Sequence, residues 1–172
     1  METKICTWCK RMLSLSDFGN HRLGKDGLNY WCKECVRDKS RVWAHTPSGM
    51  YSAIKSRQTF YQKNMPYRHK PVNISREEFI SWYKAQPKHC VYCGLTEDGL
   101  SKVDDFYNNK GAKLSVDAKV NALGYIRGNL VLSCHRCQGI KSDFFTYEEM
   151  LEIGQSFVRE RWEVYTVNIG FG

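Results

Sequence analysis

The eight cysteines of this 172-residue chain fall into four Cys-x-x-Cys pairs: Cys6/Cys9, Cys32/Cys35, Cys90/Cys93 and Cys134/Cys137. Two residues between thiols let one tight turn aim both sulfurs at a single ion, and two such turns complete a tetrahedron. The natural sorting places Cys6, Cys9, Cys32 and Cys35 around one zinc ion and Cys90, Cys93, Cys134 and Cys137 around another. Redox pairs and unpaired core thiols are the competing explanations, and four pairs in two sets favour two structural Zn2+ per chain. Residues 1–40 hold few apolar side chains beyond Leu13, Phe18, Leu28 and Trp31. Such a segment makes little core, so metal binding must supply much of its folding energy.

The N-terminus has no apolar run resembling a signal peptide, and no stretch is long enough to span a bilayer. The expected setting is therefore cytoplasmic, with no membrane partner and with thiols kept reduced. The formal net charge of +8 favours a polyanionic partner, most simply nucleic acid. Residues 41–74 interleave Arg and Lys with aromatics and are expected to contact DNA, Arg68 and Lys70 among them. A helix is expected near Met50 to Tyr61, ended by Pro66 and Pro71. Ser75 with Glu78, and Thr146 with Glu149, read as capping boxes opening two further helices, the second running to about Trp162. The tail from Glu163 to Gly172 alternates like a short strand. Three segments result: a zinc unit over 1–40, a basic linker or helix over 41–74, and a core over 75–172.

Between Cys93 and Cys134, strand character covers Lys113–Val120 and Asn129–Ser133, with Gly124 and Gly128 turning the chain between them. The segment "CHRCQGIKSDFF" then enters a short helix, giving a strand–strand–helix unit fastened at its ends by zinc. Asp117 on the first strand is expected to face the start of that helix, where Gln138 follows Cys137. A carboxylate and an amide oxygen there offer hard ligands to a magnesium-type ion, which clamps a scissile phosphate and stabilises the leaving oxygen. Lys141 and Arg127 are expected to be phosphate clamps near that site. His135 lies between zinc ligands and takes no role.

Three stretches, "CTWCKRMLSLSDF…CKEC", "FISWYKAQPKHCVYCG" and "SVDAKVNALGYIRGNLVLSCHRCQGIKS", together resemble the HNH (His–metal finger) endonucleases, most closely their PacI-like, zinc-containing restriction branch. The resemblance covers most of the chain. It implies an α+β fold: a ββα-metal nuclease core with two four-cysteine zinc sites, few other strands and flanking helices. It also implies a homodimer that cuts both strands of palindromic double-stranded DNA with a catalytic Mg2+ or Mn2+. Asp117 matches the family's metal-binding aspartate, and Asn129 matches the asparagine that braces the hairpin. Gln138 stands where the family has an asparagine or histidine ligand. His69 matches, with a one-residue shift, a histidine of the restriction branch and is the candidate general base.

Ala118 departs from the pattern. Most members have there the histidine that activates water, and the restriction branch has an arginine. A methyl group neither accepts a proton nor stabilises a phosphorane charge. Three readings follow. The chain is an endonuclease changed at residue 118 by engineering, in which case Ala118→Arg or Ala118→His restores cleavage by orders of magnitude. Or it is a non-catalytic, zinc-dependent DNA-binding protein derived from an HNH nuclease. Or it is an RNA-binding or ribosome-associated zinc ribbon, which leaves the Asp117 hairpin unexplained.

Overall fold

The computed structural model describes residues 2–104, 113–162 and 164, so the tail expected as a strand lies, but for Val164, outside the described residues. The chain divides into two units, Met1–Gly49 and Met50–Gly172. The basic 41–74 stretch is shared between them.

In the first unit, β1 (Thr3–Ile5) and β2 (Met12–Ser14) form an antiparallel hairpin around Cys6 and Cys9. A second antiparallel pair, β3 (Phe18–Asn20) with β4 (Leu28–Cys32), carries an irregularity between Phe18 and Asn20. It delivers Cys32 to the start of α1 (Lys33–Ala44). The buried centre is small: Cys6, Phe18, Cys32 and Cys35, with Leu13, Leu28 and Trp31 packed against it. Three of those four buried residues are cysteines, so this unit's core is built around the sulfur cluster.

α2 (Pro47–Asn64) starts in the last residues of the first unit, and the second unit contains the rest of it with β5 (Val72–Asn73), α3 (Arg76–Ala85), α4 (Glu97–Asp104), β6 (Ser115–Ala118), β7 (Tyr125–Ile126), β8 (Leu130–Ser133), α5 (His135–Lys141) and α6 (Tyr147–Ile153). A π-helical turn over Gly154–Val158 continues α6. Both capping boxes are formed. Ser75 Oγ accepts from the Glu78 N–H at 3.2 Å while Glu78 Oε2 accepts from the Ser75 N–H at 2.9 Å. Thr146 and Glu149 repeat the pattern at 3.2 and 2.8 Å. Two backbone donors at each helix start are thereby satisfied. No described helix is long and apolar enough to cross a membrane.

The antiparallel pair β6/β8 is the expected hairpin, shortened to four residues, with Asp117 opposite Val131 and Ala118 opposite Leu130. Alternation along β6 sends Val116 and Ala118 to one face and Ser115 and Asp117 to the other. Val116, Leu130 and Leu132 join Phe79, Tyr83, Leu114 and Met150 in the core. A second small sheet pairs β5 with β7 in parallel. It brings the chain leaving α2 against the hairpin, and the Tyr125 N–H donates to Pro71 O at 2.7 Å. Gly124 makes that approach possible: its φ is +66°, and a Cβ there would lie 2.3 Å from Pro71 O. Gly154 is similarly constrained, since a Cβ would meet the Tyr92 backbone at 2.6 Å.

Candidate active site

The eight thiols form the two expected clusters, with the four sulfurs of each within 4.8 Å of one another. An ion 2.3 Å from four tetrahedral sulfurs requires edges of about 3.8 Å. Cys6 and Cys35 lie 3.8 Å apart, and Cys93 and Cys134 lie 3.9 Å apart, so the donor sets fit zinc and no disulfide forms. Both clusters are assembled alike. In "CTWCK" and "CVYCG" the residue after the second cysteine turns left-handed, with φ of +61° at Lys10 and +76° at Gly94. Its N–H closes on the first cysteine's carbonyl at 2.9 Å in each case. The other two pairs open helices: Cys32 is the N-cap of α1 and Cys134 the N-cap of α5. Helix starts favour thiolates. Amides point at the sulfurs too, from Cys32 to Cys6 Sγ at 3.3 Å and from Cys137 to Cys134 Sγ at 3.4 Å.

On the Ser115/Asp117 face of β6 lies a cleft of about 570 Å³, lined by Tyr61, Tyr67, Arg68, His69, Lys70, Asp117, Asn121, Ala122, Gln138, Ser142 and Asp143. Asp117 forms its back wall and is 4% exposed. Its Oδ2 accepts from Tyr92 Oη at 2.8 Å and lies 3.4 Å from Lys141 Nζ. Neither contact involves Oδ1. Burial, and then the Asp117 charge, push the Tyr92 hydroxyl above the usual tyrosine range, so it stays a donor. Gln138 is anchored at both ends of its amide: Oε1 accepts from Ser115 Oγ at 3.0 Å, and Nε2 donates to Val116 O at 3.2 Å. A carbonyl oxygen has two lone pairs. One carboxylate oxygen and one amide oxygen on a cleft wall fit a hard divalent ion that retains several waters.

The opposite wall comes from the turn after α2. Lys70 donates to Asn121 Oδ1 at 2.7 Å, and its backbone N–H donates to Oε1 of buried Gln58 at 2.7 Å. Burial lowers the Lys70 ammonium's pKa, against the opposing pull of Asp117. Arg68 and His69 lie beside it, with the Arg68 guanidinium over the Tyr67 ring. Asp143, at the rim, is held below the ordinary carboxylate range chiefly by the Ser142 hydroxyl.

Arg68, His69, Lys70, Asp117 and Gln138, all singled out from sequence, thus share one cleft. Asn129 lies behind it as the brace: its Nδ2 donates to Val120 O and Gly124 O at 2.9 and 2.7 Å, and its Oδ1 accepts from Val120 N at 3.0 Å. Three placements differ from the sequence expectation. Lys141 is 1% exposed and donates to Ala118 O at 2.9 Å, so it is the internal counter-charge of Asp117 instead of a surface phosphate clamp. Its apolar stem is long enough to cross the packed α5/β6 interface, which a sequence pattern of surface lysines hides. Arg127 lies in a separate groove with Glu77, Glu78 and Trp82. Ala118 is fully buried and does not line the cleft, because strand alternation turns it away from Asp117. Tyr92, Tyr61, Asn121 and Asp143 were not anticipated. Only Tyr92 carried a signal, since its place between two zinc ligands fixes its backbone.

Fold and sites together give a strand–strand–helix unit with few other strands, flanking helices and two four-cysteine centres. Among solved structures, that of the rare-cutting HNH restriction endonuclease PacI is similar: 24% identity over 94% of this chain and 96% of that one, with a TM-score of 0.56. No protein-family model and no curated protein matches the chain.

Proposed function

We propose that this protein is a zinc-stabilised DNA endonuclease that hydrolyses phosphodiester bonds in both strands of a palindromic duplex, working as a cytoplasmic homodimer of the restriction type. The observation that carries the reading is the cleft itself: a buried, ionically backed Asp117 facing a basic wall of Arg68, His69 and Lys70. Asp117 and Gln138 would hold a Mg2+ or Mn2+ ion, which when bound polarises the scissile phosphate and stabilises the leaving oxygen. Tyr92 and Lys141 fix the Asp117 carboxylate through Oδ2. His69 accepts the proton of the attacking water, the role for which Ala118 has no chemistry. Arg68, with Tyr67 beneath it, binds backbone phosphate, while Asn129 keeps the hairpin in shape without touching substrate. The similarity to an HNH restriction endonuclease supports the same reading at the level of fold.

The test is incubation with a random duplex library in magnesium or manganese, followed by sequencing of the ends. A recurrent two-fold-symmetric motif, lost in Asp117→Asn, is expected. A second reading, a non-catalytic DNA-binding protein, is favoured by the apolar Ala118 and by the ammonium that already neutralises Asp117. It requires salt-sensitive duplex binding with no cut ends in either metal.

A further inference from the structure

Hydrolysis of a phosphodiester gathers negative charge on the non-bridging oxygens as water approaches phosphorus. That charge needs a preorganised cation beside the reacting phosphate. Position 118 supplies none. Arg127 lies in another groove, and Lys141 is sealed between Asp117 and Ala118 O. Arg68 is exposed on the rim, its guanidinium over the equally exposed Tyr67 ring, with no hydrogen-bonding partner aiming it into the cleft among those described.

Lys70 differs from all of these. Its main chain is pinned on both sides, by Gln58 at its own N–H and by the Tyr125 N–H on the next carbonyl, that of Pro71. Its ammonium is held by a neutral acceptor, Asn121 Oδ1 at 2.7 Å. Asn121 is itself fixed from the other side, since Nδ2 donates to Ser142 O at 2.8 Å at the end of α5. Among the described residues no carboxylate pairs directly with Lys70, and Asp117 and Asp143 act on its charge only through space. An ammonium has three protons, and the Asn121 bond engages one, leaving two for an incoming phosphate oxygen. The half-buried setting strengthens any such bond relative to one in bulk water.

We propose that Lys70, aimed by Asn121, is the catalytic cation of the cleft, bonding a non-bridging oxygen of the scissile phosphate as the pentacovalent state forms. Asn121 is its positioning residue. The proposal rests on the endonuclease reading. In the step it serves, a P–O bond forms to water and the P–O bond to one sugar oxygen breaks. The water proton passes to His69, and the departing oxygen is protonated from solvent. Lys70 stays charged throughout and transfers nothing.

The test takes the full zinc-loaded chain, the motif that the wild type cuts from the random library, and single-turnover rates in magnesium beside duplex affinities. Zinc content and thermal midpoint check that each variant is folded. Lys70→Met is expected to lower the saturated cleavage rate by roughly 10²–10³, the loss typical of removing one transition-state donor, with affinity changed less than about tenfold. Lys70→Arg retains charge but not the compact fit to Asn121, and is expected to recover only part of the rate. Asn121→Ala is expected to slow cleavage in the wild-type background and to have little further effect on top of Lys70→Met, because the two act as a unit. If Lys70→Met weakens binding and leaves the saturated rate intact, Lys70 is an ordinary phosphate contact and the proposal fails while the nuclease reading stands. Multiplicative rate losses in the double variant overturn the role of Asn121. A wild type that binds the library and never cuts it overturns both readings together.

Discussion

Lys141→Met removes one charge from the centre of the second unit while keeping nearly all of its side-chain volume. In the wild type Lys141 and Asp117 have side chains 1% and 6% exposed, with 3.4 Å between charged atoms, and the ammonium also donates to Ala118 O at 2.9 Å. Methionine follows the same apolar path, so loss of packing contributes little. What disappears is the counter-charge of a buried carboxylate, a change that costs about 3–5 kcal/mol when one partner of a buried pair is deleted. A backbone carbonyl is also left without its donor, about 1–3 kcal/mol if it stays dry. The Tyr92 hydroxyl still supports Asp117, which places the expected total near the lower end, about 3 kcal/mol. That is a large share of a typical domain's stability of about 5–15 kcal/mol. The assay is urea unfolding with free zinc held constant, because metal bound only to the native state shifts the midpoint. Asp117→Asn combined with Lys141→Met removes both charges and is expected to be more stable than Lys141→Met alone, with a coupling of about 1–3 kcal/mol. A Lys141→Met protein within about 0.5 kcal/mol of wild type, or a double variant with purely additive losses, would refute the assignment of Lys141 as internal counter-ion.

Elemental analysis is expected to find two zinc ions per chain, falling to one in Cys6→Ser with loss of near-ultraviolet signal from Trp8 and Trp31, whose rings pack 5.3 Å apart in the first unit. Gly124→Ala would press a methyl against Pro71 O and so displace His69 and Lys70 from the cleft; cleavage should fall well before zinc content does. Glu78 and Glu149 are held below the ordinary glutamate value of 4.5 by hydrogen bonds from Ser75 and Thr146. A depressed folded pKa gives stability that is present above 4.5 and lost as pH falls through the folded value, so the stability gap between wild type and the Glu78→Gln/Glu149→Gln double variant should close on acidification below 4.5; a gap that stays constant would contradict it. Ala118→Arg must fit a long cation at a fully buried strand position opposite Leu130, so destabilisation of about 1–3 kcal/mol with no gain in cleavage is expected; a tenfold or greater rate increase would show that residue 118 reaches the cleft after all.

Local chemistry explains which features could be read from the sequence. The Cys-x-x-Cys pairs, the capping boxes and the Asn129 brace each depend on residues within a few positions of one another, or on an ion that dictates its own geometry, and all of them form. α1 was not expected: Lys33–Ala44 is polar almost throughout, and its helical start is set by Cys32 and Cys35 reaching one cluster, not by an apolar stripe. The cleft was half legible for a different reason. Asp117 and Gln138 belong to one hairpin–helix unit, so their meeting follows from ββα geometry. Lys70 and Asn121 are 51 residues apart, and their meeting depends on the parallel contact of β5 with β7 and on the room that Gly124 leaves. Neither has a signature in a two-residue strand.

Lys141 and Ala118 show the remaining limit. Adjacent residues on a strand face opposite ways, so a motif written as consecutive letters, Asp117 then Ala118, need not describe one surface. A lysine one helical turn past the last zinc ligand can as easily serve the carboxylate below it as a phosphate above. Burial decides between those roles, and burial here is set by β6, α5 and the hairpin closing together. If the cleft cuts DNA without a polar side chain at 118, the cation it needs must come from a segment that the hairpin captures, and Lys70 lines the cleft with its ammonium fixed by the neutral amide of Asn121.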